Sequence, residues 1–327
     1  MLVVAYKNPS KWLPITLVQN ANTLTATIDI NSKRLADALS PKDYGTKQKR
    51  EDELLHRFPT SPLPYIMKPS VLVDNSGVIL AWSLPGVLSP DIQVRPFLRW
   101  LTVGASSRSN WRNTEAHFKD ADLEGCLNFP PGWFQQGISS PDWLPAVSAT
   151  LKVHNTDQGG RKWLDNMLIP LSVLSAALAI MHLDLYVAGR ESIIKLYEGQ
   201  GPRDPEMAAL LECWPSVFSA SLVIVNRETP FHRDHNSRVQ WFDLLASIGC
   251  YPGSVFDMPT LSTACYYPPG SVIGISGNLV CHGVARTDGD RLCLASYMRD
   301  NVHSAMGVPR SNSVCHQDLE RLWRENR

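Results

Sequence analysis

From Ala220 to Met298 the chain breaks into short apolar runs at 220–225, 241–248, 265–267, 272–276, 279–283 and 292–298, separated by Gly, Pro, Asn or Asp. Runs this short, bounded this way, predict strands rather than helices. So many at such spacing predict a sandwich or barrel of jelly-roll type. Chemistry concentrates in the same stretch. The first run leads into NRETPFHRDHNS, with His232 and Asp234, and the fifth carries His282.

A His-x-Asp triplet alone is a weak signal, and the chain holds three: His182/Asp184, His232/Asp234 and His316/Asp318. In a helix, residues i and i+2 point to different faces, whereas in an extended strand they share one. The first and last triplets lie in helical patterns. Only His232 and Asp234 are expected at a strand end, able to converge on one ion. His282 taken alone reads equally well as a core histidine. Where a rolled sheet returns to its first strand, however, it can supply a third ligand.

Two imidazoles and a carboxylate form the facial arrangement that holds non-haem Fe(II) and leaves positions open for a bidentate 2-oxo acid and dioxygen. A free distal carboxylate on that co-substrate needs a buried cation with bidentate geometry. Arg291, at the start of the last run, is the candidate, with Arg286, in an expected turn, and Arg299, at the far end of the run, as competitors. Two other motifs fail. His-Arg-Asp would fit a kinase catalytic loop, but the position needing asparagine is Val239 and no glycine-rich loop or DFG is present. A zinc deaminase needs paired cysteines near its histidine and glutamate.

Composition narrows the classes further. With 327 residues, 44% of them hydrophobic, the chain can bury one large core or two ordinary ones. The formal net charge is zero, so a nucleic-acid surface must be local. The seven cysteines contain no CxxC pair, which predicts reduced, mostly buried thiols in an intracellular protein. MLVVAYKNPS has the wrong flanks for a signal peptide. The longest apolar candidate for a membrane span, Met167 to Met181, is interrupted by Pro170 and falls short of the roughly 20 residues required.

The remaining chain reads in order. WLPITLV and LTATIDI predict one or two short strands before a helical turn at SKRLADAL, and KQKREDELLHR predicts a short helix whose mixed charges suit a solvated face. PSVLVDNSGVILAWSLPG predicts a hairpin, turning at Asn75-Ser76-Gly77. Residues 95–119 carry five cationic side chains against Glu115, and SSRSNWRNT sets Trp111 between Arg108 and Arg112. Cations beside an aromatic can hold phosphates and stack on a base; an ordinary polar loop would look the same. Residues 130–150 read as an irregular connection and 154–163 as a polar, glycine-rich loop. Two helical segments over 168–198 meet near His182, and a further helix has Asp204 as N-cap and Pro205 at its first position. From Ser313 a terminal amphipathic helix is expected.

Three stretches, RKWLDNMLIPLSVL, NRETPFHRDHNSRVQWFDLLASIG and YYPPGSVIGISGNLVCHGVARTDGDRLCLASYMRDNVH, together with the 69–86 hairpin, resemble fungal members of the TET/JBP family of Fe(II)/2-oxoglutarate dioxygenases. The resemblance covers most of residues 70–308. It implies an α+β fold, with a double-stranded β-helix core at 151–308 flanked by helices, an N-terminal α/β elaboration at 1–150 and a helical tail at 309–327. It implies Fe(II), 2-oxoglutarate and O2, and oxidation of a methylated base in duplex DNA by a nuclear, monomeric enzyme, with no membrane partner. His232, Asp234 and His282 match the family's iron ligands and Arg291 its 2-oxoglutarate arginine. His235 and Asn236 match base-reading positions and Tyr297 a pocket position, while Arg299 stands where relatives often carry histidine. A DNA substrate must be flipped from the duplex, which makes Arg108, Trp111, Arg112 and the 154–162 loop candidate backbone contacts. Oxidation of 5-methylcytosine to 5-hydroxymethylcytosine and further products is the leading expectation, with demethylation of 6-methyladenine, silent recognition of a modified base, and hydroxylation of a protein or small molecule as the alternatives.

Overall fold

In the computed structural model the described residues are 18–22, 24–40, 48–93, 115–118, 125–134, 144–152, 159–234 and 237–325. Strands β5 (Ala220–Val225), β7 (Asp243–Cys250), β10 (Val272–Ile275) and β12 (Asp290–Tyr297) lie in one sheet. Strands β6 (Thr229–His232), β8 (Val255–Met258), β9 (Thr263–Tyr266) and β11 (His282–Val284) form a second, in the order β6-β11-β8-β9. The chain from β5 onward therefore passes back and forth between two sheets, the double-stranded β-helix that the family resemblance implied, in keeping with the jelly-roll type expected from the spacing of its turns.

The larger sheet reaches well beyond this core. Its order is β1-β2-β3-β10-β7-β12-β5-β4, where β1 is Thr25–Thr27, β2 Ser70–Val73, β3 Ile79–Leu84 and β4 Gly125–Asn128. The N-terminal hairpin thus hydrogen-bonds directly to β10 through β3, with Val272 opposite Leu84, and β4 pairs with the outer edge of β5. Residues 1–150 were expected as an elaboration packed on the core; the described strands among them are strands of its larger sheet. The hairpin turns as its sequence requires. Gly77 takes φ +85°, and the Asp74 carboxylate accepts bonds from the backbone N–H groups of Ser76 and Val78.

Alternation along the strands separates two cores. Leu244, Ala246, Ile248, Leu292 and Leu294 face the helices, where they meet Trp163, Leu164, Met167, Leu171, Leu174 and Leu178 of the helix Gly159–Met181. Ile273 and Ile275 face the other way, toward Phe256, Met258 and Tyr267 of the smaller sheet's layer. The helix begins inside the stretch expected as a glycine-rich loop, so Arg161 and Lys162 are helical. It also runs through Pro170, which makes Gly160–Met181 long and apolar enough to cross a membrane by length and composition, contrary to the shorter segment expected. In this fold most of that segment is buried, as a helix packed on a sheet must be.

Sequence signals at the helix ends are mostly met. Asp204 caps the helix Pro205–Cys213, accepting from Met207 N, and the amphipathic tail forms a helix over His316–Glu325 with Leu319 buried. The helix Gln48–Arg57 forms as well, but its charges do not all face water, since Glu51 is buried. None of the seven cysteines forms a disulfide, and four of them, Cys126, Cys265, Cys281 and Cys293, are buried.

His182 joins the two long helices. Its Nδ1 accepts from Leu185 N at 3.4 Å, capping the helix Leu183–Gln200, and its Nε2 lies 2.9 Å from the Asn312 carbonyl. Both contacts require a neutral ring with the proton on Nε2. Burial lowers the imidazole from 6.5 to about 4, outweighing the opposing pull of the Asn312 carbonyl and Asp184. The unfolded chain therefore binds the extra proton first. The stability this residue contributes is fully present above pH 6.5 and is lost as pH falls toward 4, with a loss of about 2 kcal/mol by pH 5. Asparagine can cap without titrating. Denaturant melts of His182→Asn should give lower stability at pH 7 but a smaller drop from pH 7 to 5 than the parent; an equal drop would contradict the assignment.

Candidate metal centre

Strands β6 and β11 pair antiparallel with His232 directly opposite His282. Opposed residues of such a pair project from the same face, so the two imidazoles meet, with ring centroids 4.4 Å apart. Each ring is fixed by the carbonyl two residues before it. His232 Nδ1 lies 2.8 Å from Pro230 O and His282 Nδ1 lies 3.0 Å from Val280 O. A carbonyl can only accept, so both Nδ1 atoms carry the proton and both Nε2 atoms present lone pairs, the tautomer that metal-ligating histidines adopt. Phe256 stacks on His282 at 5.6 Å, and both histidines are buried.

Asp234 lies past the end of β6, where strand alternation no longer places it. A hairpin-like contact does so instead: its N–H donates to Gly277 O at 2.8 Å, and the Asn278 amide donates to the carbonyls of Asp234 and Ser237. The carboxylate then stands 3.7 Å from His232 Nε2 through Oδ1 and 3.7 Å from His282 Nε2 through Oδ2. These separations are too long for hydrogen bonds. They suit three ligand atoms around one ion, and all lie within 4.8 Å of one another. Gly277 leaves the space this needs, because a Cβ there would sit 3.1 Å from Asp234 Oδ2 and 2.6 Å from Asp243 Oδ2. The donor set, with its rings already oriented, fits ferrous iron.

Arg291 lies near the start of β12 in the larger sheet, paired with Gly249 of β7. Leu292 and Leu294 of that strand pack against the helices, so Arg291 faces the space between the sheets. Its N–H donates to the Asn226 side chain at 2.8 Å, and its Nη2 donates to the Arg227 carbonyl at 2.9 Å. Nη1 is buried and has no hydrogen-bond partner among the described residues. Nearby phenols add no negative charge: burial pushes Tyr251 up to about 12 and Tyr267 well above the usual tyrosine range. A small cavity here is lined by Asn226, Arg227, Arg286, Thr287 and Arg291. An unsatisfied buried guanidinium edge in a cavity of three arginines is suited to a carboxylate.

The other expected residues divide. Arg286 lines the same cavity but is exposed, bonded to Ala116 O at 2.9 Å and 3.8 Å from Glu228. Tyr297 and Arg299 belong to a separate cluster six residues along β12 from Arg291, roughly 20 Å by strand rise. There the Arg299 guanidinium lies over Trp133 and Tyr297 at 5.3 and 5.5 Å, and Tyr297 Oη donates to Asn128 Oδ1. Trp133 and Asn128 had no functional signal in the sequence beyond the PPGW turn. His235, Asn236, Arg108, Trp111, Arg112 and residues 154–158 lie outside the described residues. Among the described residues neither competing triplet gathers ligands: His182 is a helix cap, and His316 Nε2 contacts Thr25 Oγ1 at 3.0 Å. Among the described residues, the histidine, aspartate, cysteine and glutamate side chains close enough to share an ion are His232, Asp234 and His282.

Residues 132–300 match the family model Tet_JBP, the oxygenase domain of the 2OGFeDO superfamily. Among solved structures, NgTET1 in complex with 5mC DNA is similar in fold, with a TM-score of 0.50 and 12% identity over 81% of this chain and 88% of that one. No curated protein matches the chain by sequence. Gly277→Ala should crowd the Asp234 carboxylate and weaken Mn(II) binding at least tenfold by calorimetry, with an unchanged circular dichroism spectrum. Unaltered affinity would show that Asp234 does not need that space.

Proposed function

The chain belongs to the Tet_JBP oxygenase family, a group of 2-oxoglutarate/Fe(II)-dependent dioxygenases, and from that premise we propose that it oxidises the methyl group of 5-methylcytosine in duplex DNA. Support for the substrate comes from the fold shared with NgTET1, which was captured on DNA carrying 5-methylcytosine. The observation that carries the catalytic part is the gathering of His232, Asp234 and His282 within 4.8 Å, together with a buried arginine, Arg291, whose Nη1 has no hydrogen-bond partner among the described residues.

In this proposal His232 Nε2, His282 Nε2 and one Asp234 oxygen would hold the iron. Iron bound there with 2-oxoglutarate and dioxygen would supply an oxidant able to hydroxylate an unactivated C–H bond. The backbone carbonyls of Pro230 and Val280 keep both rings in the ligating tautomer, and burial of the rings keeps bulk water from them. Arg291 binds the distal carboxylate of 2-oxoglutarate through its unsatisfied edge, in the cavity shared with Arg227 and Arg286. The Arg299, Trp133, Tyr297 and Asn128 cluster offers an aromatic and cationic surface with an amide at its edge. A flipped base needs such stacking and edge contacts to offset its unstacking.

Incubation with Fe(II), 2-oxoglutarate and a duplex carrying 5-methylcytosine should yield 5-hydroxymethylcytosine, read by mass spectrometry of the digested nucleosides. A parallel duplex carrying 6-methyladenine tests demethylation by the same oxidant. No product from either duplex would overturn the proposal, and product from His232→Ala/Asp234→Ala would overturn the site. Arg291→Ala should raise the KM for 2-oxoglutarate by roughly ten- to a hundredfold, as expected for losing a charged hydrogen-bond pair. An unchanged KM would remove Arg291 from that role.

A further inference from the structure

Arg233 stands between two of the three metal-site residues, and its side chain leads away from them. It is almost completely buried. Its guanidinium meets Glu51 of the helix Gln48–Arg57 through two contacts, Nη1 to Oε2 at 2.7 Å and Nη2 to Oε1 at 2.9 Å. The same side chain also reaches the third ligand's segment, because Nε donates to Leu279 O at 3.0 Å, three residues before His282.

Thr260 closes the group. Its hydroxyl donates to Glu51 Oε1 at 3.2 Å and accepts from Arg233 Nη2 at 3.2 Å and from Cys281 N at 2.9 Å. That is one donor and two acceptor sites, all in use. Both backbone segments that carry candidate ligands are therefore tied to one buried carboxylate. The 232–234 segment is held through Arg233, and the 279–282 segment through Leu279 O and Cys281 N–H. Glu51 comes from 182 residues earlier in the chain than Arg233.

We infer that Glu51, Arg233 and Thr260 form a positioning cluster that sets the spacing of His232, Asp234 and His282 and thereby the metal affinity of the site. The inference rests on the site being the iron centre. A pair that served only to fasten the 48–57 helix to the core would alter stability and leave a folded protein's metal affinity alone. A positioning cluster must alter both. Lysine at 233 keeps the charge but cannot reach Glu51 bidentately and Leu279 O together. Glutamine at 51 keeps the shape and loses the charge.

Co(II), titrated into metal-free full-length protein and followed by calorimetry and by its d–d absorption, tests this directly. Wild type should bind one Co(II), and His232→Ala/Asp234→Ala should bind none. Arg233→Lys and Glu51→Gln should each weaken binding about tenfold or more, the usual scale for residues that orient metal ligands, and should change the absorption envelope. Thr260→Val should weaken binding in the same direction, and it carries the test if either charge variant fails to fold. Asp74→Asn removes a different buried carboxylate, one that Ser32 and Ser76 bind, and should lower Tm without moving the Co(II) affinity. Wild-type affinity and spectrum in the folded Glu51, Arg233 or Thr260 variants would overturn the inference while leaving the metal site in place. No Co(II) binding by wild type would instead overturn the iron-site reading, and the inference with it.

Discussion

The pairing of His232 with His282 across β6 and β11 is the contact on which the rest of the site depends. Register in an antiparallel ladder fixes which side chains share a face, and a slip of one residue would send one imidazole to the opposite side. With the register set, both rings project together. The carbonyls of Pro230 and Val280 then decide which nitrogen each ring presents. Asp234 has no such ladder to rely on, since β6 ends two residues before it. It depends on a backbone bond to Gly277 and on the absence of a side chain there.

Much of this was legible in the chain because it was local. The hairpin at Gly77 needed a residue tolerant of positive φ, the Asp204-Pro205 pair needed only its own helix, and the junction at His182 followed from a break in helical period. The His-x-Asp triplet was ranked over its rivals by whether helix or strand surrounded it. The ranking agrees with the geometry, although the reason differs in part, because Asp234 is placed by a loop contact and not by strand alternation. Strand β6, Thr229–His232, gave no apolar signal, since it is short, carries Pro230 and leaves Phe231 exposed. The run 279–283 had the composition of a strand, yet only its last residues join one. Leu279 and Val280 are held in a turn by bonds to Ser276 O.

What sequence patterns could not reveal are contacts between distant segments. The helix at 48–57 looked like a solvated charged face, and its other acidic residues, Asp52 and Glu53, are exposed. Glu51 differs because its partner is Arg233, and a pairing over that distance leaves no periodic trace. The same holds for the N-terminal hairpin. Its alternation predicted two strands but could not predict that β10 would take β3 as a neighbour. The result is a site whose candidate ligands, with Arg233 and Thr260 behind them, come from the second half of the chain while the carboxylate that ties them together, Glu51, comes from the first. Removing either partner of a buried, hydrogen-bonded ion pair is costly, so the N-terminal region is integral to the structure around the ligands.

Anomalous diffraction from crystals grown with Mn(II) and 2-oxoglutarate under anaerobic conditions would test the central claim most directly. The account predicts one strong peak bounded by His232 Nε2, His282 Nε2 and the Asp234 carboxylate, with the co-substrate's distal carboxylate against Arg291. A peak elsewhere, at His182 or His316 for example, or a 2-oxoglutarate carboxylate held away from Arg291, would contradict it.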